Sequence, residues 1–242
     1  MTTLLAFDTA TERMSIALAA QGRVWAHDAA GGAQASAALI PAIVALLAQA
    51  GVSLRELDAI AFGRGPGAFT GLRTACSVAQ GLALGAGKPV LPVDTLLAVA
   101  EDARIDTGAQ HTWVAMDARM NEIYAACYAF TGVVWTTRVA PFLTTAADLD
   151  ARWRDEPPEV VAGNALAAFA GQLHPARARC VPDARPNARA MLPLAQAMWD
   201  RGEAVDAALA LPLYVRDKVA QTTAEREALR LAKDAAAPEP AR

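Results

Sequence analysis

The chain has 242 residues and a mass of 25.3 kDa, with 54% apolar and 19% charged residues. That balance fits a globular protein of one large domain or two small ones and excludes a disordered chain. A net charge of −3 and a pI of about 5.6 exclude a protein that holds a polyanion by its own electrostatics. Cys76, Cys127 and Cys180 share no CxxC spacing, so neither a disulfide framework nor a zinc site is expected. The thiols read as reduced and the protein as cytoplasmic. The first residues lack a basic n-region and meet Asp8 early, so no signal peptide is expected.

Taken in order, Leu5–Asp8, Ala17–Ala20 and the segment after Gly22 read as three strands, the last two joined by a glycine hairpin turn. No charge occurs between Asp28 and Arg55. Pro41 and Gly31-Gly32 interrupt that stretch, and its apolar block, Ala37–Ala48, is shorter than the roughly 20 residues a membrane span needs. It therefore predicts a deeply buried helix over 38–50 rather than a span. Leu57–Phe62 follows as a strand, 70–86 as a helix, 88–93 as a short strand and 95–104 as a helix. The same order then recurs. Three strands open at Val114, helices are expected at 145–154 and 165–173, strands at 160–162 and near Cys180, and an amphipathic helix at 188–201. Pro212–Arg216 reads as an extended strap, and 220–242 as a frayed or disordered tail.

The recurrence is residue-specific. Asp8, Gly22 and Trp25 correspond to Asp117, Gly132 and Trp135, with one residue inserted between the aspartate and the glycine. A three-stranded opening followed by α, β, α, β, α, present twice, predicts an α/β protein with the two-lobed fold of actin, hexokinases and Hsp70, which is ribonuclease H-like. Residues 1–105 form the expected N-terminal lobe and 106–187 the C-terminal lobe. Residues 188–219 are expected to pack back across both. The fold alone does not specify an activity.

Gly63–Arg73 joins a strand to a helix. Gly65 and Gly67 permit close backbone approach, Pro66 stiffens the loop, and the helix start after it offers free N–H groups. Gly65, Pro66, Gly67, Thr70, Gly71 and Arg73 are thus candidates for an anion or nucleotide contact at an interface, against a tight turn with no ligand. The string Gly65-Pro66-Gly67-Ala68-Phe69-Thr70-Gly71-Leu72-Arg73 resembles the hallmark of the bacterial TsaB (YeaZ) family. Phe7–Glu12, Asp117-Ala118-Arg119, Glu122, Tyr124, Tyr128, Gly163-Asn164-Ala165 and Pro212–Arg216 also look like family positions, over residues 3 to about 219. One departure is Ala35-Ser36, where the family usually has His-Ser.

The resemblance implies a non-catalytic subunit of the machinery that makes threonylcarbamoyladenosine at position 37 of tRNAs reading ANN codons. Its implied partners are the paralogue TsaD, which transfers the threonylcarbamoyl group, the ATPase TsaE, and a second copy of itself when TsaD is missing. It implies tRNA contact only through the complex, no membrane, no cofactor bound by this chain alone, and ATP or ADP at the assembly of the three proteins. The residues bear on that reading independently. The stretch equivalent to the paralogue's metal-binding His-x-x-x-His, Val93–Val99, has no histidine, and His27, His111 and His174 are far apart. Asp8-Thr9-Ala10 and Asp117-Ala118-Arg119-Met120 lack the glycine with which active members of the fold wrap phosphates. Both aspartates are expected to bond backbone amides of their own turns. No catalytic residue and no metal site is predicted. The rival reading is a free-standing small-molecule kinase or ATPase of the actin-like fold.

Helices 38–50 and 70–86 have almost no charged face, whereas a surface helix ordinarily has one apolar stripe of about 100°. A partner interface is therefore expected through Leu39, Ile40, Ile43, Val44, Leu47, Leu72, Cys76, Ala79, Leu82 and Ala83. The alternative is that the sheet and the second lobe cover both helices internally.

Overall fold

The structure, a computed structural model, describes residues 2–216. The tail expected at 220–242 and residues 217–219 lie outside the described residues. In chain order the elements are β1 (Leu4–Asp8), β2 (Arg13–Ala20), β3 (Arg23–Ala30), α1 (Ala35–Ala50), β4 (Ala59–Gly65), α2 (Phe69–Ala86), β5 (Val90–Asp94) and α3 (Thr95–Thr107). The second half follows as β6 (His111–Asp117), β7 (Ile123–Phe130), β8 (Trp135–Thr144), α4 (Ala146–Asp155), β9 (Val160–Ala162), α5 (Ala165–Ala168), β10 (Arg179–Val181) and α6 (Ala188–Asp200).

Two five-stranded sheets have the same topology, β3-β2-β1-β4-β5 and β8-β7-β6-β9-β10. In each, the first three strands are antiparallel and the last two run parallel to the first. The duplication read from Asp, Gly and Trp is thus a duplication of architecture, that of the actin-like, ribonuclease H-like fold. Asp8 and Asp117 end equivalent strands, and Gly22 and Gly132 take left-handed φ values of 73° and 89° in equivalent hairpins.

The central strands are buried at nearly every position because helices cover both faces; β1 is buried from Leu4 through Asp8. Leu5 and Phe7 of β1 face α1 and α2, meeting Leu39, Ile43, Leu46, Ala75, Cys76 and Ala79. Leu4 and Ala6 face α6, meeting Met191, Leu194 and Ala195. The second sheet packs one face on α4 through Leu149 and Trp153. Its other face packs on α3 through Leu96, Val99, Ala100 and Ala103. The two halves are therefore crossed. α3, from the first half, covers the second sheet, and α6, from the second half, covers the first. α3 also runs to Thr107, across the boundary expected between residues 105 and 106. Buried Glu101 of α3 accepts hydrogen bonds from Arg104 and from the indole N–H of Trp135, at 2.8 Å, which fixes β8 to the same helix.

Three expectations are corrected. α1 is not deeply buried: Leu39, Ile43, Leu46 and Leu47 pack on the sheet, while Ile40 and Val44 are 45% and 53% exposed. Gly32–Ala50 is long and apolar enough by composition to cross a membrane, but its inner face is part of the first core, and Pro41 stays inside the helix. The helix expected at 165–173 stops at Ala168. There Phe169 turns into the core of the second sheet, and Gly171 at φ 82° redirects the chain. β4 begins at Ala59 and extends to Gly65, so the strand runs into the glycine loop.

Because Met191 is fully buried under the first sheet, Met191→Ala is expected to lower stability by about 2–5 kcal/mol. Urea unfolding measures it, and a change below about 1 kcal/mol would mean that α6 is not a structural cover of that sheet.

Candidate functional site

The glycine loop is bonded to the turn after β1. Asp8 is 1% exposed. Its Oδ1 accepts the Ala10 N–H at 2.7 Å, and its Oδ2 accepts the Thr95 hydroxyl at 3.0 Å. The Thr95 oxygen in turn accepts the Gly65 N–H at 3.1 Å. The Thr9 hydroxyl donates to the Gly71 carbonyl at 2.7 Å, and the Ala68 N–H to the Ala10 carbonyl at 2.8 Å. A Cβ on Gly71 would lie 1.9 Å from the Thr9 carbonyl oxygen, so no larger residue fits. Gly65, at φ 117°, faces the Leu213 carbonyl, which a Cβ would approach to 2.7 Å. These two glycines are therefore required by neighbouring backbone.

The other loop residues divide by exposure. Pro66 is buried, Gly67 is half-buried against Ala10, and Thr70 is exposed. Arg64 is paired with Asp94. Arg73 lies over the Phe69 ring at 3.9 Å and donates from Nε to the Tyr214 hydroxyl at 3.2 Å. Tyr214 and Phe69 rings are 5.5 Å apart.

Asp117 occupies the equivalent position in the second lobe. Its Oδ1 accepts the Arg119 N–H at 2.8 Å, and its own N–H donates to the Asn164 side chain at 2.9 Å. Both aspartates thus bond amides of their own turns, as the sequence predicted. Between the two turns lies a cleft of about 280 Å³, with Glu12, Arg119, Met120, Asn164 and the strap residues Leu213–Arg216 among its walls. Arg119 crosses it to pair with Glu12 at 3.0 Å. Among the described residues no group of three or more His, Cys, Asp and Glu side chains is gathered as for a metal. Cys76 and Cys127 are buried, and burial pushes both thiols up, Cys127 to about 11.

The residues named for a partner interface separate into two groups. Leu39, Ile43, Leu47, Leu72, Cys76, Ala79 and Ala83 are buried within the chain. Their assignment to the surface is corrected: Leu39, Ile43, Leu47, Cys76, Ala79 and Ala83 belong to the first core, and Leu72 lies beside Gly65. Ile40 and Val44 are exposed and Leu82 is half-buried. Around them the outward side of α1 is Ser36, Ala37, Pro41, Ala45, Ala48 and Gln49, with no charge. On α2, Leu84 is 81% exposed and Arg73 is the one charge. Sequence reasoning missed Phe69 and Leu84 as exposed apolar residues and Thr95 as the link between Asp8 and the loop. Thr95 carried no motif. Leu84 was visible only as one more apolar residue on an apolar helix.

The duplicated lobes and the hairpin-bounded cleft define a member of the actin-like superfamily. Residues 27–224 match the TsaD family, described as tRNA N6-adenosine threonylcarbamoyltransferase. The chain is 35% identical over 222 residues, 90% of its length and 96% of the relative's, to the tRNA threonylcarbamoyladenosine biosynthesis protein TsaB of Escherichia coli. It is 44% identical over 122 residues, about half of each chain, to the protein of that name from Haemophilus influenzae. The solved structure of YeaZ from Pseudomonas aeruginosa matches with a TM-score of 0.81 and 38% identity, over 88% of this chain and all of the other. The chain belongs to the TsaB (YeaZ) family and takes part in the biosynthesis of threonylcarbamoyladenosine in tRNA.

Burial pushes the Asp8 carboxyl up to about 6, against the opposing pull of the Ala10 N–H and the Thr95 hydroxyl. A carboxyl raised above its unfolded value stabilises the fold below that value, and the contribution is lost as pH rises through about 6. Asp8→Asn is therefore expected to raise the melting temperature at pH 7.5 relative to the native protein, by a margin that shrinks as the pH falls to 4.5. Calorimetry across that range checks it, and a variant less stable at pH 7.5 would contradict it. Gly71→Ala is expected to destabilise in the same assay, against the ~1 kcal/mol by which Ala normally favours a helix over Gly.

Proposed function

We propose that this chain is a non-catalytic subunit of the complex that transfers the threonylcarbamoyl group to N6 of adenosine 37 in tRNAs reading ANN codons. In this reading it pairs with TsaD through the outward faces of α1 and α2, with TsaE joining the pair in the cytoplasm. In the absence of TsaD the same face takes a second copy of the chain. The observation that carries the proposal is the charge-free exposed side of α1, with Ile40 and Val44 at its centre, together with exposed Leu84 on α2. A stable interface of this kind buries about 1,200–2,000 Å², and small residues such as Ala45, Ala48 and Gly81 allow close helix approach.

The hairpins favour a supporting role over a catalytic one. Both Asp8 oxygens are engaged inside the fold, Asp117 is tied to the Arg119 N–H, and Arg119 and Met120 line the cleft where phosphates would sit. These residues do not fit a metal–nucleotide complex, so ATP or ADP is assigned to the assembly rather than to this chain's own cleft. With net charge −3 the chain is assigned no tRNA contact of its own.

Ile40→Glu and Val44→Glu are expected to weaken binding to purified TsaD at least tenfold and to shift the chain toward monomer in light scattering. The melting temperature should change little, since both side chains are exposed. Survival of the complex in both variants would overturn the assignment of this face. Leu47, which is buried, cannot serve that test, because Leu47→Glu would unfold the lobe. The isolated chain is expected to turn over no ATP; a steady, stoichiometric turnover would favour the kinase or ATPase reading.

A further inference from the structure

The strap after α6 crosses from one lobe to the other within four residues. At its first end the Leu213 N–H donates to the Arg64 carbonyl at 2.7 Å, and its own carbonyl lies against Gly65. Tyr214 rests on Phe69 and accepts from Arg73. At its other end one guanidinium nitrogen of Arg216 reaches the Ala118 carbonyl at 2.9 Å and the Glu122 carboxylate at 2.8 Å. Ala118 and Glu122 are the two ends of the β6–β7 turn, which is closed by the Ala118 N–H on the Glu122 carbonyl at 2.9 Å.

That turn is strained. Arg119, Met120 and Asn121 have φ values of 63°, 54° and 61°. Left-handed backbone costs roughly 1–2 kcal/mol per residue outside glycine, with asparagine the most tolerant. Such a run persists only where its surroundings hold it. The other link across the cleft, Arg119–Glu12, has side chains 69% and 79% exposed, and an exposed pair contributes about 0–1 kcal/mol. Arg216 is only 13% exposed at its side chain, and Glu122 34%. The strap is therefore the firmer link.

We propose that Leu213–Arg216 is an interlobe clamp that sets the width of the cleft and holds the Ala118–Glu122 turn in its left-handed form. Its reach makes it a clamp: three residue steps span at most about 10–11 Å, to which only the length of the Arg216 side chain is added, so the two anchors cannot part beyond that sum unless one end releases. The role is independent of any partner on α1 and α2, and it is testable on the isolated full chain.

The experiment is amide hydrogen exchange followed by mass spectrometry on the native protein, Arg216→Ala and Leu213→Pro. Arg216→Ala is expected to speed exchange in the 118–122 turn at least tenfold while β1 and β6 exchange as in the native protein. Leu213→Pro removes the N–H that the Arg64 carbonyl accepts, at the first-lobe end of the strap, and it is expected to speed exchange in the same turn. If either variant leaves the turn as protected as in the native protein, the clamp is refuted. Should Leu213→Pro also loosen β1, Tyr214→Ala replaces it under the same criteria, since it weakens the first anchor without breaking the backbone bond.

Discussion

The turn after β1 approaches the amino end of α2 more closely than any residue but glycine allows at position 71, and the rest of the first lobe follows from that contact. Thr9 and Gly71, Ala10 and Ala68, and Asp8 through Thr95 and Gly65 form one bonded seam. It fixes where α2 leaves the sheet, and so which side of α2 meets the core and which side faces outward with Arg73 and Leu84. The buried, partly unfavourable carboxylate of Asp8 belongs to this seam, where it holds a turn. In a nucleotide-binding member of the fold that carboxylate would have to face the cleft.

The crossed helices give the two lobes a common frame. α3 lies on the second sheet and α6 on the first, so neither sheet is covered on both faces by its own half of the sequence. Among the described residues, 207–210 and Tyr214 pack along part of α2, while Ile40 and Val44 of α1 and Leu84 of α2 stay exposed on the outer sides of the two helices. A fold that elsewhere surrounds a ligand between its lobes here has a cleft walled by Arg119, Met120 and the strap, together with an apolar surface on the outside of one lobe. In the proposed reading this arrangement holds another protein; the fold alone does not specify a reaction.

Much of this was legible in the sequence for identifiable reasons. The aspartate, glycine and tryptophan of each opening hairpin perform local tasks, ending a strand, turning it and packing it, so they stayed in register through the duplication. The amide-bonding role of Asp8 and Asp117 followed from the short turns they begin. Burial on α1 and α2 was not legible. Leu39 and Ile40, or Ile43 and Val44, are alike in hydropathy, and without polar residues to mark the solvent side, periodicity cannot tell the sheet-facing stripe from the outward one. Thr95 was silent because its partners lie 30 and 87 residues away in sequence. The early end of α5 depended on Phe169 finding the second core, a tertiary contact that outweighs the helical preference of the alanines around it.

The central claim is that the outward sides of α1 and α2 are the surface through which this chain works. Hydrogen exchange of the chain alone and mixed with TsaD tests it most directly, because it maps protection without presupposing which residues matter. The account predicts new protection concentrated in 36–50 and 69–86, with the edge strands β3 and β8 and the cleft turn at 118–122 unchanged. Protection confined to the cleft or to a sheet edge, with α1 and α2 exchanging as in the free chain, would contradict it.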